Sequence, residues 1–254
     1  MLEVVDATKT YHGVPAVRSV SLTAQPGDVI GLLGPNGSGK STTVKMIVGL
    51  LSPSRGRVLW RGVSISDQLL DYQAIVGYVP EEAKLYTYLT AVEYLELVGG
   101  LRNIPPATLK HRIERYLDLF GLSSDVYTPL ASFSKGMRQK VLISAALIHD
   151  PDLILLDEPN SGLDVASTLI LRSVVRTLAA RGKIIIYSSH VLDIVEKVCR
   201  RVLILHKSHV VAHDSVSRLR ELAQAASLEE VFTSLAVDQN VENVGRELAE
   251  VSLS

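Results

Sequence analysis

The densest chemistry in the chain lies in eight residues, Gly34-Pro35-Asn36-Gly37-Ser38-Gly39-Lys40-Ser41. They match the spacing G-x-x-x-x-G-K-[ST]. Glycines let successive backbone N–H groups curl around a phosphate with no side chains in the way. The start of a helix after the loop adds partial positive charge. Lys40 can reach the terminal phosphates, the Ser41 hydroxyl can bind Mg²⁺, and Thr42 adds a second hydroxyl. A glycine-rich turn that binds nothing is the competing reading. The apolar strand expected before the loop and the helix expected after it weigh against that turn.

A second centre follows the apolar run Leu153-Ile154-Leu155-Leu156, which ends in Asp157-Glu158. Ligands of open parallel sheets sit at the carboxyl ends of strands, and the phosphate loop leaves Leu33 at the same kind of end. The two centres can therefore converge. Asp157 would then orient Mg²⁺, and Glu158 would position and polarise an attacking water.

The elements that must hold these residues are legible in outline. Val29 to Leu33, Leu153 to Leu156 and Lys183 to Tyr187 are short apolar runs of the kind buried on both faces of a sheet. Leu2 to Thr8 reads as an edge strand and Ser19 to Ala24 as a second weak strand. Arg57 to Trp60 and Ile75 to Val79 read as further strands, and Val202 to Leu205 with Val210 to Ala212 as a terminal hairpin. Helices are expected from Ser41 to Leu50, over 164–180 and over 190–198.

Residues 90 to 149 change character, and helical periodicity dominates. Thr90 with Glu93 forms a capping-box pattern. Pro105-Pro106 opens a helix that ends near Gly121, and Ser134 could cap a third running to His149. Strands alternating with helices predict an α/β core with a mostly parallel sheet. The helical stretch, about 82–150, reads as an insertion in it.

The chain has 254 residues with a formal net charge of −1, which suits one large domain and argues against broad, non-specific nucleic-acid binding. A single cysteine, Cys199, excludes an intrachain disulfide framework and suits a reducing compartment. No apolar run approaches the roughly 20 residues of a spanning helix, and the first residues do not read as a signal peptide. A soluble, intracellular chain is the expectation. From Ser215 onward three basic residues meet seven acidic ones, so 223–254 reads as a short, acidic, helical tail.

Further pieces resemble one family. Phe133-Ser134-Lys135-Gly136-Met137-Arg138-Gln139 resembles the signature motif of ABC ATPases, often written LSGGQ. Ser161-Gly162-Leu163-Asp164 resembles their D-loop, with Asp164 as its acid. His190 resembles their switch histidine, and Tyr11 stands where their adenine-stacking aromatic occurs. The resemblance runs from about residue 2 to 213, with every motif in order. It implies a P-loop NTPase (RecA-like) core, an N-terminal antiparallel β subdomain and the inserted α-helical subdomain, together forming one ATPase domain over 1–222. It also implies a head-to-tail dimer, with itself or a related subunit, that sandwiches two ATP molecules. Each ATP would meet Lys40, Ser41, Asp157, Glu158 and His190 of one subunit, and Ser134 and Gly136 of the other.

Three departures qualify the resemblance. Ser-Lys-Gly-Met replaces the more common Ser-Gly-Gly-Gln and resembles ABC-2-type exporters. Glu81 stands where a glutamine usually faces Mg²⁺. His206-Lys207-Ser208-His209 lacks the glycine often found at that hairpin, which predicts a looser or different turn. His206, His209 and His213 raise the question of a metal site, but residues on a hairpin would not converge on one ion. The expected function is an ATP-hydrolysing subunit driving export through a separate membrane permease, attached by it to the cytoplasmic face of the membrane. The alternative is a soluble ABC ATPase acting on nucleic acid or ribosomes. About 117 residues separate Lys40 from Asp157, with no sustained heptads for a coiled-coil insertion and no second ATPase unit, so a nucleic-acid partner is not expected.

Overall fold

A computed structural model describes residues 1–236 except Ala83. Two sheets and a helical insertion form the molecule. The N-terminal sheet is antiparallel, with order β2-β1-β4-β5, and comprises β1 (Leu2–Tyr11), β2 (Val14–Ala24), β4 (Arg55–Trp60) and β5 (Val63–Ser64). The edge strand expected at Leu2–Thr8 is instead internal, since β1 pairs with β2 on one side and β4 on the other. Side-chain alternation reports the faces of a strand, not the number of strands it pairs with, so the pattern of β1 carried no sign of its second partner.

The central sheet has order β10-β9-β3-β8-β7-β6. Its strands are β3 (Val29–Leu33), β6 (Val76–Val79), β7 (Leu153–Asp157), β8 (Ile184–Ser188), β9 (Arg201–His206) and β10 (His209–Ser215). All its pairings are parallel except β9 with β10. The bare apolar runs are explained by burial on both faces. Ile30, Leu32, Leu153, Leu155, Ile184 and Ile186 pack toward the antiparallel sheet and α1 (Lys40–Val48). Their neighbours Val29, Leu33, Ile154, Leu156, Ile185 and Tyr187 pack toward the helical side. That strict alternation fixes the register, because a one-residue slip would exchange the two faces.

The connection from β4 to β6 contains a short helix not expected from the sequence, α2 (Leu69–Ala74). Its one buried residue is Tyr72, whose hydroxyl donates to the Ile47 carbonyl. The insertion consists of α3 (Ala91–Leu101), α4 (Pro106–Leu119) and α5 (Lys135–Leu147). Thr90 and Glu93 close the expected capping box on α3, and the Ser134 hydroxyl accepts from Met137 N to cap α5. The remaining helices are α6 (Val165–Ala180), α7 (Leu192–Val198), α8 (Val216–Ala223) and α9 (Leu228–Ala236).

The hairpin 206–209 is not loose. His206 pairs with His209, and Lys207 and Ser208 both take left-handed φ, as a two-residue type I′ turn requires. Leu228 and Val231 of α9 are buried in the same core cluster as Val195 and Val198 of α7. The rest of the expected tail, 237–254, lies outside the described residues. Among the described residues no helix is long and apolar enough to cross a membrane.

Candidate functional site

β3 delivers the phosphate loop and β7 delivers the two acids. The strands flank β8 on either side, so both segments emerge at the same end of the sheet. Gly34 leaves β3 with φ +153°, and a Cβ there would sit 2.3 Å from the Leu205 carbonyl oxygen and 2.4 Å from Ser38 Oγ. Only glycine fits between the loop and β9. Gly39 precedes α1 in a left-handed conformation, φ +108°, leaving the helix N-terminus open toward the loop.

Lys40 is buried, and its Nζ donates to the carbonyls of Gly34 at 2.7 Å and Pro35 at 3.3 Å. Burial lowers its pKa, while Glu158, Asp157 and Glu81 pull it back up. The ammonium is held inside its own loop, aligned with the surrounding acids. A cavity of about 420 Å³ opens here, walled by Asn36, Gly37, Gly39, Lys40, Ser41, Thr42, Glu81 and Glu158. Ala16 of β2 also lines it; the sequence reading missed this residue because no side-chain chemistry marks an alanine.

Asp157 ends β7, 1% exposed. Burial raises its pKa, and the nearby Ser188 and Ser41 hydroxyls oppose that rise. Its Oδ1 is nonetheless buried without a hydrogen-bond partner. An orphaned carboxylate oxygen beside a serine hydroxyl fits a hard cation, which takes oxygen ligands. Among the described residues no group of three or more His, Cys, Asp and Glu side chains could hold a metal alone. Mg²⁺ needs only one or two protein carboxylates when phosphates complete its shell, so Asp157 and Ser41 suffice. Glu81 follows β6 and lines a second cavity of about 440 Å³ that also contains Ser41 and Asp157.

Glu158 is the first residue past β7, at φ +48°. A non-glycine residue in that region is strained, and such strain tends to cluster at functional sites. Its backbone N–H donates to Ser188, its Oε1 lies 2.8 Å from His190 Nδ1, and its Oε2 accepts from Ser189 Oγ at 3.3 Å. The side chain of Glu158 is mostly buried while that of His190 is 64% exposed. The pair is thus anchored at the acid and open at the histidine. Ser189 was not singled out from the sequence; its position between β8 and His190 was the available signal.

Three expected residues stand away from this cavity. Tyr11 ends β1, 45% exposed, on the hairpin that also carries Ala16; Lys9 Nζ lies 5.6 Å from its ring centre. Ser134 caps α5 and is exposed. Gly136 packs against the 158–164 segment, where an added Cβ would lie 2.3 Å from the Gly162 carbonyl oxygen. None of the three lines the phosphate cavity. Asp164 caps α6, accepting from Ser167 N at 2.7 Å. His206 and His209 pair on the hairpin, and His213 lies 3.1 Å from Arg201.

A sequence profile described as ABC transporter matches residues 17–161. The ABC transporter ATP-binding protein NatA of Bacillus subtilis is 37% identical over 242 residues, 93% of this chain and 98% of that protein. The ABC-type transporter ATP-binding protein EcsA of the same organism is 34% identical over 237 residues, covering 92% and 96%. An uncharacterized ABC transporter ATP-binding protein of Nostoc is 43% identical over 208 residues, 81% of this chain but only 62% of the relative. Among solved structures, one described as an ATP binding subunit of an ABC transporter superposes with a TM-score of 0.87 at 34% identity, covering 92% and 99%. The chain therefore belongs to the ABC transporter family, as one of its ATP-binding, ATPase subunits.

Proposed function

We propose that the chain hydrolyses ATP to drive export through a separate transmembrane subunit. One observation carries the reading: a single cavity holds the phosphate loop and Glu158, and Glu158 is paired with His190 at 2.8 Å. In this reading Gly34 to Thr42 cradle the phosphates, Lys40 leaves its loop carbonyls to meet the terminal phosphate, and Tyr11 stacks on the adenine. Glu158 accepts a proton from the attacking water, and His190 holds that carboxylate and the γ-phosphate. Mg²⁺, held by Ser41 and Asp157 with Glu81 beside them, would neutralise charge on the transferring phosphoryl group.

Ser134 and Gly136 do not line their own phosphate cavity, which supports a second role for them across a head-to-tail dimer. A similar solved structure, described as a dimeric bacterial ABC transporter cassette, has a TM-score of 0.78 at 25% identity. The partner would be a second copy or a related ATPase subunit, with no nucleic acid. The reading places the ATPase domain over 1–222, the helical insertion about 82–150 and an acidic tail over 223–254. It puts the chain in the cytoplasm, on the membrane's inner face. A groove of about 360 Å³ lies beside the Glu81 segment, between α1, α2 and the insertion, and includes Lys84, Arg102 and His149. The permease would dock there, because motion at that groove reaches Glu81 within a few residues.

The test is the oligomeric state of Glu158→Gln with and without ATP, by light scattering. ATP-dependent doubling of mass supports the reading. A variant that stays monomeric at saturating ATP argues for a site that does not close in this way.

A further inference from the structure

One face of α5 is fastened to the loop that carries Glu158. Gly136, Gln139 and Lys140 stand three and four residues apart, so they share that face. Gly136 lies against the Gly162 carbonyl, closely enough that a Cβ would reach 2.3 Å. The Lys140 ammonium lies 3.7 Å from the Asp164 carboxylate. Between them Gln139, 1% exposed, donates from Nε2 to the carbonyl of Pro159 at 3.1 Å. Pro159 is the residue after Glu158.

The Gln139 bond is the unusual member of this group. Burying a primary amide among apolar neighbours is costly unless it is hydrogen-bonded. Val141, Leu142 and Ile143 follow after Lys140 and are all buried, so an apolar residue at 139 would serve the core as well. Other hydrogen bonds on this loop come from the central sheet, from Ser189 and His190 just past β8, or from the loop itself. Glu158 N donates to the Ser188 carbonyl, Asn160 Nδ2 to the Tyr187 hydroxyl, and Ser161 N to the Glu158 carbonyl. The Gln139 bond is a side-chain link to this loop from the helical insertion. It holds the carbonyl of the residue that follows Glu158, itself at φ +48°, a backbone state that neighbouring structure must hold in place.

We propose that Gln139 is a positioning residue for Glu158. Its amide fixes the Pro159 carbonyl, and so fixes the direction in which the Glu158 carboxylate leaves β7. Because Gln139 belongs to the signature helix, displacement of that helix by a nucleotide or a permease moves Glu158 in the same subunit. This rests on the proposed role of Glu158 in the hydrolysis of ATP.

The experiment uses the full chain, with ATP as the probe. Gln139→Met keeps length and burial but loses the donor. Its kcat should fall by about tenfold, as expected for losing one buried hydrogen bond. KM and ATP affinity should stay within about twofold. Gln139→Glu supplies the rescue. The ionised carboxylate has no donor, but once protonated it offers an O–H to the Pro159 carbonyl. Its activity relative to the unaltered chain should climb as pH falls from about 8 to about 6, since burial raises a carboxyl pKa. The Gln139→Met ratio should stay flat. A structural loss alone would not produce that rise.

A Gln139→Met kcat within twofold of the unaltered chain, or a flat Gln139→Glu ratio, overturns the inference. Glu158→Gln is assayed in parallel. If it is inactive while Gln139→Met is unchanged, only the positioning role fails. If Glu158→Gln turns over normally, the reading of Glu158 itself has failed.

Discussion

Replacing Asp157 with asparagine should stabilise the nucleotide-free chain and abolish its response to Mg·ATP. The carboxylate is buried, its Oδ1 has no hydrogen-bond partner, and burial holds its pKa above the ordinary value. The ionised group therefore costs folded-state stability. An asparagine amide would bring a donor toward the buried Ser188 hydroxyl. Removing one unsatisfied buried acceptor contributes about 1–3 kcal/mol. In a chain of this size each kcal/mol moves Tm by roughly 2–4 °C, so a rise of about 2–12 °C is expected.

The pH dependence has a definite sign. With the folded pKa raised above 3.8, the penalty is fully present above the folded pKa. It disappears as pH falls toward the unfolded value, so variant and unaltered chain should converge in acid. Urea unfolding with and without Mg·ATP reads both effects. Ligand at a hundredfold excess over Kd stabilises the unaltered chain by about 2.7 kcal/mol, and the variant should lose most of that. A nucleotide-free variant destabilised by more than about 1 kcal/mol would refute the reasoning, because Asp157 would then support the fold rather than await a cation.

Two further outcomes follow from the same geometry. Lys40→Ala should lose ATP affinity by more than tenfold in calorimetry, since a charge-assisted contact to phosphate contributes about 1.5–3 kcal/mol; undiminished binding would remove Lys40 from the site. His149, beside the groove, is held down to about 4 from 6.5, chiefly by burial and then by Arg102. As pH falls through that window the unfolded chain takes up a proton that the folded chain refuses, so stability declines. His149→Gln should flatten the decline in urea unfolding; an unchanged slope would show that His149 is not its source.

The phosphate loop and the acids were legible because their chemistry demands local spacing, and the two-sided burial of β3, β7 and β8 left unbroken apolar runs. What was not legible depends on distant partners. The inner position of β1 is set by β4, some fifty residues away. α2 is held by Tyr72 reaching α1 and by Arg102 donating to the Gln73 carbonyl, and α9 by contacts with α7. Gln139 had a local signal, a lone amide entering an apolar helical run, but only the fold shows that it meets the Pro159 carbonyl. At Lys207-Ser208 the missing glycine suggested a looser or different turn; the turn is not loose, because the strand pairing imposes a tight I′ geometry on two non-glycine residues.

The most direct test of the account is phosphate release by the full chain and by Glu158→Gln under saturating Mg·ATP, with ATP binding measured on the same samples. The account predicts binding within a few-fold and hydrolysis reduced by about 100-fold or more, the usual scale for removing a general base. Turnover by Glu158→Gln at the rate of the unaltered chain would contradict it.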